Sequence, residues 1–374
     1  MKNKILNNSD VFRMMENWAP KSLAYEWDNV GLQIGSYNSP VKKILTTLDL
    51  TESVVDEAID NGVNLIIAHH PILFKPLKQV SIETVQGKII RKLLNNEITV
   101  YAAHTNLDIA DGGVNDMLCD LIGVESREIL IESTIEKLFK IAVYVPESHV
   151  ESVRESLNLG GAGHIGNYSH CTFQAKGQGT FKPLQGTNPF IGSENELEFV
   201  NEVKLETIVQ QYRLQNVIKH MIEAHPYEEV AYDIYPLENE GKQFGIGRIG
   251  TLEKPMNLKS LCEHVKNVLD VPALRVTGNL DKKIKKIAIL GGSGEKYIRI
   301  AKQNGADAYI TGDMTFHIAQ EAEQIGLSVI DPGHYIEKVM KKGIKTYLEQ
   351  QLRLEQKEIE ILISHSNTEP FKFM

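Results

Sequence analysis

The chain has 374 residues, of which 42% are hydrophobic and 24% charged, so it is long enough for two or three domains of ordinary globular composition. No apolar run approaches the roughly 20 residues of a membrane-spanning helix, and the N-terminal segment lacks the apolar core of a secretory signal. The formal charge of −9 gives no strong nucleic-acid signal, and three cysteines without CxxC spacing suit a cytoplasmic protein without a cysteine-rich metal site.

Strands and helices alternate in the first part of the chain. An apolar, β-branched strand is predicted at 41–51 and an amphipathic helix at 52–62. A second strand follows at 63–68, a helix at 83–97 and a third strand at 98–108. Alternation of this kind predicts a mostly parallel sheet that is covered by helices.

The pattern changes near Leu138 and changes back after residue 240. A strand–helix pair is followed by a glycine-rich stretch from Gly160 to Gly192 and then by a strand, a helix and a strand, which is the order of a ferredoxin-like unit. The prediction is a layered α/β domain with a mostly parallel sheet, formed by residues 1–128 and 241–374. An α+β ferredoxin-like domain, residues 129–240, is inserted into it.

Histidines and carboxylates follow three of the predicted strands. Ligands bind outside the carboxyl ends of strands in open α/β sheets, so side chains that are distant in sequence can meet at one edge. Imidazole mixed with carboxylate suits zinc, manganese or iron better than calcium. The residues concerned are His69 and His70 after strand 63–68, His104 and Asp108 after strand 98–103, and His334 and Glu337 after strand 327–330.

The adjacent histidines raise a geometric question. In an extended strand the side chains of His69 and His70 would point to opposite faces. They share a centre if the chain turns at Pro71, or each serves a different ion of a pair about 3.5–4 Å apart. His334 and Glu337, three residues apart, reach one volume if a helix begins near Gly333.

Five motifs in chain order carry a family resemblance: EWDNVGLQIG, AHHP, HTNLD, TGDMTFH and DPGHYIE. The chain resembles the family named after NGG-interacting factor three, whose bacterial members are known as GTP cyclohydrolase 1 type 2 homologues. The middle segment, with GAGHIGNYSHCTF, GTNPFIG and AHPYEEVAYD, resembles the CutA-like insert of the longer bacterial members. The resemblance implies a toroidal homohexamer and two divalent ions per chain, zinc foremost with manganese or iron as alternatives. The implied ligands are His69, His70, Asp108, His334 and Glu337.

Other residues have two interpretations. His104 is either an acid–base or supporting residue near the ions or a structural histidine at a strand end. We expect Asp313 to be a helix N-cap, LGGSG (290–294) to form a tight turn and not a phosphate loop, and Trp27 to pack. We expect His164, His170 and His225 to be structural.

Two functions fit these features. The first is a metal-dependent hydrolase in which metal-bound hydroxide attacks a nucleotide ring, C8 of GTP if the resemblance holds, or a related bond. The second is a non-enzymatic, metal-binding scaffold or regulatory protein whose insert senses a ligand. Turnover by the metal-loaded protein distinguishes them.

Overall fold

The computed structural model describes residues 5–374, which divide into two compact units. The first unit runs to Thr134 and resumes at Phe244, and the second comprises Ile135–Gln243. The strand that begins at Val124 extends to Ile135, because its residues still pair within a sheet of the first unit. The first unit therefore continues past residue 128, where the sequence had placed the boundary.

A five-stranded sheet forms one layer of the first unit. With strands numbered along the chain, it consists of β1 (Gly31–Ile34), β2 (Lys43–Thr47), β3 (Leu65–Ala68), β4 (Thr99–Ala102) and β15 (Glu360–Ile363), in the order β1-β4-β3-β2-β15. All neighbours pair in parallel except β1, which runs antiparallel to β4 at one edge. The third predicted strand, 98–108, is observed as Thr99–Ala102, so the motif HTNLD lies beyond its end.

A six-stranded sheet forms another layer of the same unit. Its members are β5 (Val124–Ile135), β10 (Gln243–Asn257), β11 (Arg275–Thr277), β12 (Lys283–Ser293), β13 (Ala308–Gly312) and β14 (Ser328–Asp331), in the order β11-β14-β13-β12-β10-β5. Strands β12, β13 and β14 are parallel, whereas β10 and β11 pair antiparallel with their neighbours. The unit thus has two mixed sheets and not the single sheet expected from the alternation.

Helices cover both faces of the five-stranded sheet. Alternate residues of β3 point to opposite sides. Ile66 joins a cluster with α2 (Glu52–Asp60) and α3 (Val85–Asn95), while Leu65 and Ile67 join the larger core that reaches the second sheet. Strands buried on both faces read as continuous apolar runs, which explains their clear sequence signal. The α-helices of the whole first unit, some of which pack on the six-stranded sheet, are α1 (Asn8–Trp18), α2 (Glu52–Asp60), α3 (Val85–Asn95), α4 (Thr105–Ile109), α5 (Val114–Ile122), α8 (Leu258–Val268), α9 (Ile298–Gln303), α10 (Phe316–Gln324) and α11 (Val339–Leu354).

The second unit is a four-stranded antiparallel sheet with two helices. In chain order its elements are β6 (Leu138–Pro146), α6 (Val150–Leu159), β7 (Thr172–Phe181), β8 (Glu198–Gln210), α7 (Leu214–Ala224) and β9 (Tyr232–Pro236). The strands lie in the order β7-β8-β6-β9. Val143 and Leu205 on one face of this sheet pack against Val153 of α6 and Val217 of α7. Within residues 5–374, none of the helices in either unit combines the length and apolarity that crossing a bilayer requires.

Candidate metal centre

His69 and His70 leave the end of β3 where its pairing with β2 stops. The backbone N–H of His69 donates to the carbonyl oxygen of Thr47 and that of His70 to the carbonyl oxygen of Leu48. The chain bends at His69 and His70, directly before Pro71, and the two imidazole centroids lie 5.1 Å apart. The bend brings both rings toward one carboxylate: their Nε2 atoms lie 3.8 Å and 3.1 Å from Oε2 of Glu337.

Asp108 reaches the same place from a short helix. The chain leaves β4 at Ala102, and α4 starts at Thr105, which turns Asp108 inward. The carboxylate is buried, and its Oδ1 lies 3.4 Å from Nε2 of His69. The acid therefore faces a histidine from the neighbouring strand.

His334 and Glu337 lie on a 3-10 helix that spans His334–Lys338 after β14. Residues three apart eclipse each other in a 3-10 helix, so Nε2 of His334 lies 3.1 Å from Oε2 of Glu337. The same oxygen lies 3.1 Å from Nε2 of His70. Glu337 is thus the central carboxylate of the cluster, and it is buried.

An acceptor contacts the Nδ1 atom of each histidine in the cluster. A carbonyl oxygen or an ionised carboxylate accepts only, so in a neutral imidazole the proton stays on Nδ1 and the lone pair of Nε2 is available to a metal ion. The pairs are His69 with the carbonyl oxygen of Ala103 (2.6 Å), His70 with Asp49 (2.7 Å), His104 with Asp28 (2.9 Å) and His334 with Asp313 (2.7 Å).

The donor atoms fit divalent metal ions. Nε2 of His69 and Oδ1 of Asp108 are buried and have no hydrogen-bond partner among the described residues, which is costly unless a cation is shared between them. Ligand atoms of His69, Asp108 and Glu337 lie within 4.8 Å of one another, and so do those of His70, His334 and Glu337. Two donor sets that share one carboxylate are suited to a pair of ions.

His104 is close enough to the other histidines to bind the same metal ion, and not only to support a ligand. Its ligand atom and those of His69 and His70 form a third group within 4.8 Å. Asp28 accepts hydrogen bonds from the backbone N–H of Thr105 and from Nδ1 of His104, so the ring is held with Nε2 toward the other histidines. The position allows either metal ligation or proton transfer.

Without metal, the cluster holds protons tightly. Burial alone would lower the pKa of His70, but the carboxylates of Asp49 and Glu337 raise it to about 10. A hydrogen bond with Glu337 raises the pKa of His334 to about 9. Burial opposes ionisation of Glu337, yet the surrounding histidines hold its pKa well below the usual range. A metal ion must therefore displace protons from the imidazoles as it binds.

Three acidic residues and a glycine contribute to this centre, although none of them was assigned to it from the sequence. Asp28, Asp49 and Asp313 orient His104, His70 and His334. Asp49 and Asp313 also follow strand ends, so the rule that identified the histidines could have found them. Gly292, in LGGSG, lies at the end of β12 against the cluster: a Cβ there would stand 2.5 Å from Oε1 of Glu337.

Two expectations for individual residues were wrong. Asp313 is not an N-cap: Thr315 occupies that position of α10, while Asp313 adopts a left-handed backbone conformation (φ 58°) and pairs with His334. Trp27 is not packed away, since it is 58% exposed. It stacks on Tyr25 and places its ring centroid 6.2 Å from that of His104, at the rim of the cluster.

Comparison with known proteins agrees with the motifs. Residues 6–370 match the model of the Duf34/NIF3 (NGG1p interacting factor 3) family. A GTP cyclohydrolase 1 type 2 homolog from Halalkalibacterium halodurans is 50% identical over 371 residues, which cover 99% of this chain and 100% of the relative. The crystal structure of a Bacillus cereus protein related to NIF3 covers 100% of both chains at 49% identity with a TM-score of 0.86. A Staphylococcus aureus crystal structure covers 99% of both chains at 34% identity with a TM-score of 0.74.

Proposed function

We propose that this chain, which belongs to the Duf34/NIF3 family, is a hydrolase that depends on a pair of divalent metal ions, zinc foremost, and acts on a nucleotide. The observation that carries the proposal is the division of the donors into two sets that share Glu337. His69 and Asp108 would complete one set, and His70 and His334 the other. Relatives of this chain are named GTP cyclohydrolase 1 type 2 homolog, which makes GTP the first substrate to test.

Ions held by these residues would act as Lewis acids and lower the pKa of water toward 7, which provides a nucleophile at neutral pH. The chain contributes rigid positioning: four imidazoles are fixed through Nδ1, and Glu337 is surrounded by three of their Nε2 atoms. At C8 of a guanine, one water molecule would open the imidazole ring to a formamide, and a second would hydrolyse the formamide and release formate.

His104 is the proposed proton-transfer residue. Asp28 holds its Nδ1, so Nε2 of the neutral ring can accept a proton from water and return it to a leaving nitrogen. Trp27 and Phe74, both exposed, flank this histidine with ring centroids 6.2 Å and 6.4 Å from its own. These rings offer a planar substrate a surface to stack on beside the proton-transfer group.

The deciding experiment measures turnover by protein that has been reconstituted with zinc, manganese or iron. GTP, other nucleotides and generic phosphoesters are offered, and formate and phosphate release are both followed. His104→Asn should lower turnover at least a hundredfold, within the usual range for an acid–base residue. The matched control is His317→Asn, which removes an exposed histidine whose ring contacts Gln320 and the exposed Phe316. Metal content and melting temperature are measured on the same preparations.

The results separate the two functions. Metal-dependent product formation that fails in His104→Asn with unchanged metal content supports the hydrolase. Lower metal content in that variant would make His104 a ligand instead. Full metal occupancy without turnover on any substrate class would favour the scaffold.

We also propose the assembly and the type of insert that the family resemblance implies, and the compartment that the cysteine pattern favours. The assembly is a toroidal homohexamer, which sedimentation analysis of the metal-loaded protein tests. The compartment is the cytoplasm: Cys119, Cys171 and Cys262 are all free thiols, as a reducing environment requires. The second unit is a ferredoxin-like domain of the CutA type, and its β-α-β-β-α-β order supports this assignment.

A further inference from the structure

A cavity of about 800 Å³ lies within the second unit. Small residues form its floor: Ala175, Gly177 and Gly179 occupy alternate positions of β7 and so share one face of the sheet. Because Ala175 pairs with Lys204, this face is opposite to the one through which Leu205 packs on the helices. The metal centre uses none of these residues.

Two sequence motifs without a role in the metal centre form the walls. GTNPFIG (186–192) and AHPYEEVAYD (224–233) meet where the backbone N–H of Asn188 donates to Glu228 (3.0 Å). The ring of Phe190 lies 6.4 Å from that of Tyr227, and Phe181 lies 5.9 Å from Tyr227 on another side. The rings of Phe181, Phe190 and Tyr227 therefore line the same cavity.

Tyr227 is fixed in place by His225. The backbone N–H of Tyr227 donates to Nδ1 of His225, so the proton of the neutral imidazole is on Nε2, which donates to the carbonyl oxygen of Tyr144 (3.0 Å). The wall is thus anchored to β6 and is formed before any ligand arrives.

A buried carboxylate lies at the bottom of the cavity. Glu202 is 8% exposed, and its Oε1 accepts a hydrogen bond from the hydroxyl of Tyr227 (2.9 Å). Its Oε2 points toward Gly179, where a Cβ would stand only 2.1 Å away, so the glycine is needed for this placement. The lysines beside it, Lys176 and Lys204, pair with Glu147 and Glu206. No cation among the described residues pairs with Glu202, although a carboxylate accepts up to about four hydrogen bonds.

We propose that this cavity binds a planar nitrogen heterocycle with a cyclic guanidine edge, that is, a ring N–H beside an exocyclic amino group, as in guanine and pterin. The two donors of such an edge match the two oxygens of Glu202, as in other bidentate pairs with a carboxylate. The three aromatic side chains suit a flat ring, and the volume suits a molecule of nucleoside size. Three acidic residues (Glu202, Glu228 and Glu229) and three lysines (Lys176, Lys182 and Lys204) line the cavity, so its formal charges balance. Without a net positive charge, the cavity favours an uncharged ligand such as a nucleoside over a triphosphate.

Titration of the full-length, metal-loaded protein tests the proposal. The probes are guanosine and pterin, with inosine, which lacks the exocyclic amino group, as the negative control. Binding is followed by calorimetry and by saturation-transfer NMR of the probe. We expect wild-type protein to bind guanosine or pterin at least tenfold more tightly than inosine, because a hydrogen bond to a charged group is lost. The probe that binds more tightly shows whether the cavity prefers a guanine nucleoside or a pterin.

Variants place the binding in this cavity. Glu202→Gln should weaken binding of the better probe about tenfold or more. Glu206→Gln, four residues further along β8 on the same face, should not. Gly177→Leu should also block binding: its Cβ would meet no atom within 4 Å, so the side chain enters the cavity without a clash at its base. Asp108→Ala, at the metal centre, should leave this binding unchanged. The proposal is overturned if neither probe binds wild-type protein, or if binding survives Glu202→Gln and Gly177→Leu in folded protein.

Discussion

Gly292 and Glu337 are in such close contact that any side chain at position 292 would displace the central carboxylate of the metal centre. A Cβ at Gly292 would stand 2.5 Å from Oε1 of Glu337 and 3.3 Å from Nε2 of His334. The glycine also adopts φ 65°, which is costly for other residues. The end of β12 therefore makes room for ligands that come from another part of the chain.

We predict that Gly292→Ala loses at least half of the bound metal, because Glu337 cannot keep its place between His70 and His334. Metal analysis after dialysis measures this loss. Gly305→Ala is the matched control: Gly305 has φ 82°, but its Cβ would meet no atom closer than 4.0 Å. Equal metal content in the two variants would mean that the contact with Glu337 is unimportant.

Asp49→Asn should weaken metal binding about 10- to 100-fold. Asp49 accepts a hydrogen bond from Nδ1 of His70 and so orients the imidazole that would bind the metal ion. Competition with a chelator of known affinity measures the change. Asp56→Asn, which removes an exposed carboxylate paired with Lys92, should bind metal as the wild type does. Unchanged affinity in Asp49→Asn would show that His70 is held by other contacts.

The stability of the metal-free protein should fall as pH rises from about 6.5 to about 10. Hydrogen bonds to Asp49 and Glu337 outweigh burial and raise the pKa of His70 to about 10, and Glu337 raises that of His334 to about 9. A histidine of the unfolded chain titrates near 6.5. The folded state therefore holds protons that the unfolded state has released, so this stabilisation is complete below about 6.5 and is lost as pH rises through 9 and 10.

Urea unfolding at a series of pH values measures this dependence. The metal-loaded protein is the control, because metal-bound imidazoles stay deprotonated and should not show the decline. His334→Gln in the metal-free protein should flatten the curve. A metal-free wild type with constant stability across this range would contradict the protonation that the cluster implies.

The second unit should be removable without loss of the metal centre. Its first and last residues are neighbours, as the backbone N–H of Glu136 donates to the carbonyl oxygen of Lys242 (2.8 Å). Replacement of residues 135–243 by a short glycine–serine linker should leave a soluble protein with its full metal content. The same deletion combined with Asp108→Ala should lose metal. Aggregation of the single deletion would show that the first unit needs the insert to fold.

Much of the candidate site was visible in the sequence because it follows strand ends. A strand buried on both faces has an unmistakable apolar pattern, and the polar residues directly after it stand out, as His69 and His70 do after Ala68. The structure brings His69, His70, His104, Asp108, His334 and Glu337 together as that pattern indicates. The resemblance to the NGG-interacting factor three family is confirmed.

The sheet arrangement was only partly predictable. Strand–helix alternation indicates parallel neighbours, and β2, β3 and β4 follow it. It does not reveal that β15, near the end of the chain, joins β2, or that β12–β14 form a separate sheet with antiparallel edges. Strand partners are chosen by packing between segments that are hundreds of residues apart, and no local pattern records that choice.

By itself, then, the sequence determined which residue types stand at the strand ends, and hence that imidazoles and carboxylates would meet at one edge. Only the tertiary structure decided how they meet. Asp49, Asp28 and Asp313 form hydrogen bonds with the Nδ1 atoms of His70, His104 and His334. The Nε2 atoms of these histidines therefore face one small volume, in which Gly292 leaves space for Glu337. The physical reason is that the orientation of an imidazole depends on an acceptor within about 3 Å. For His70 and His334 that acceptor follows a different strand end, and for His104 it comes from the segment before β1.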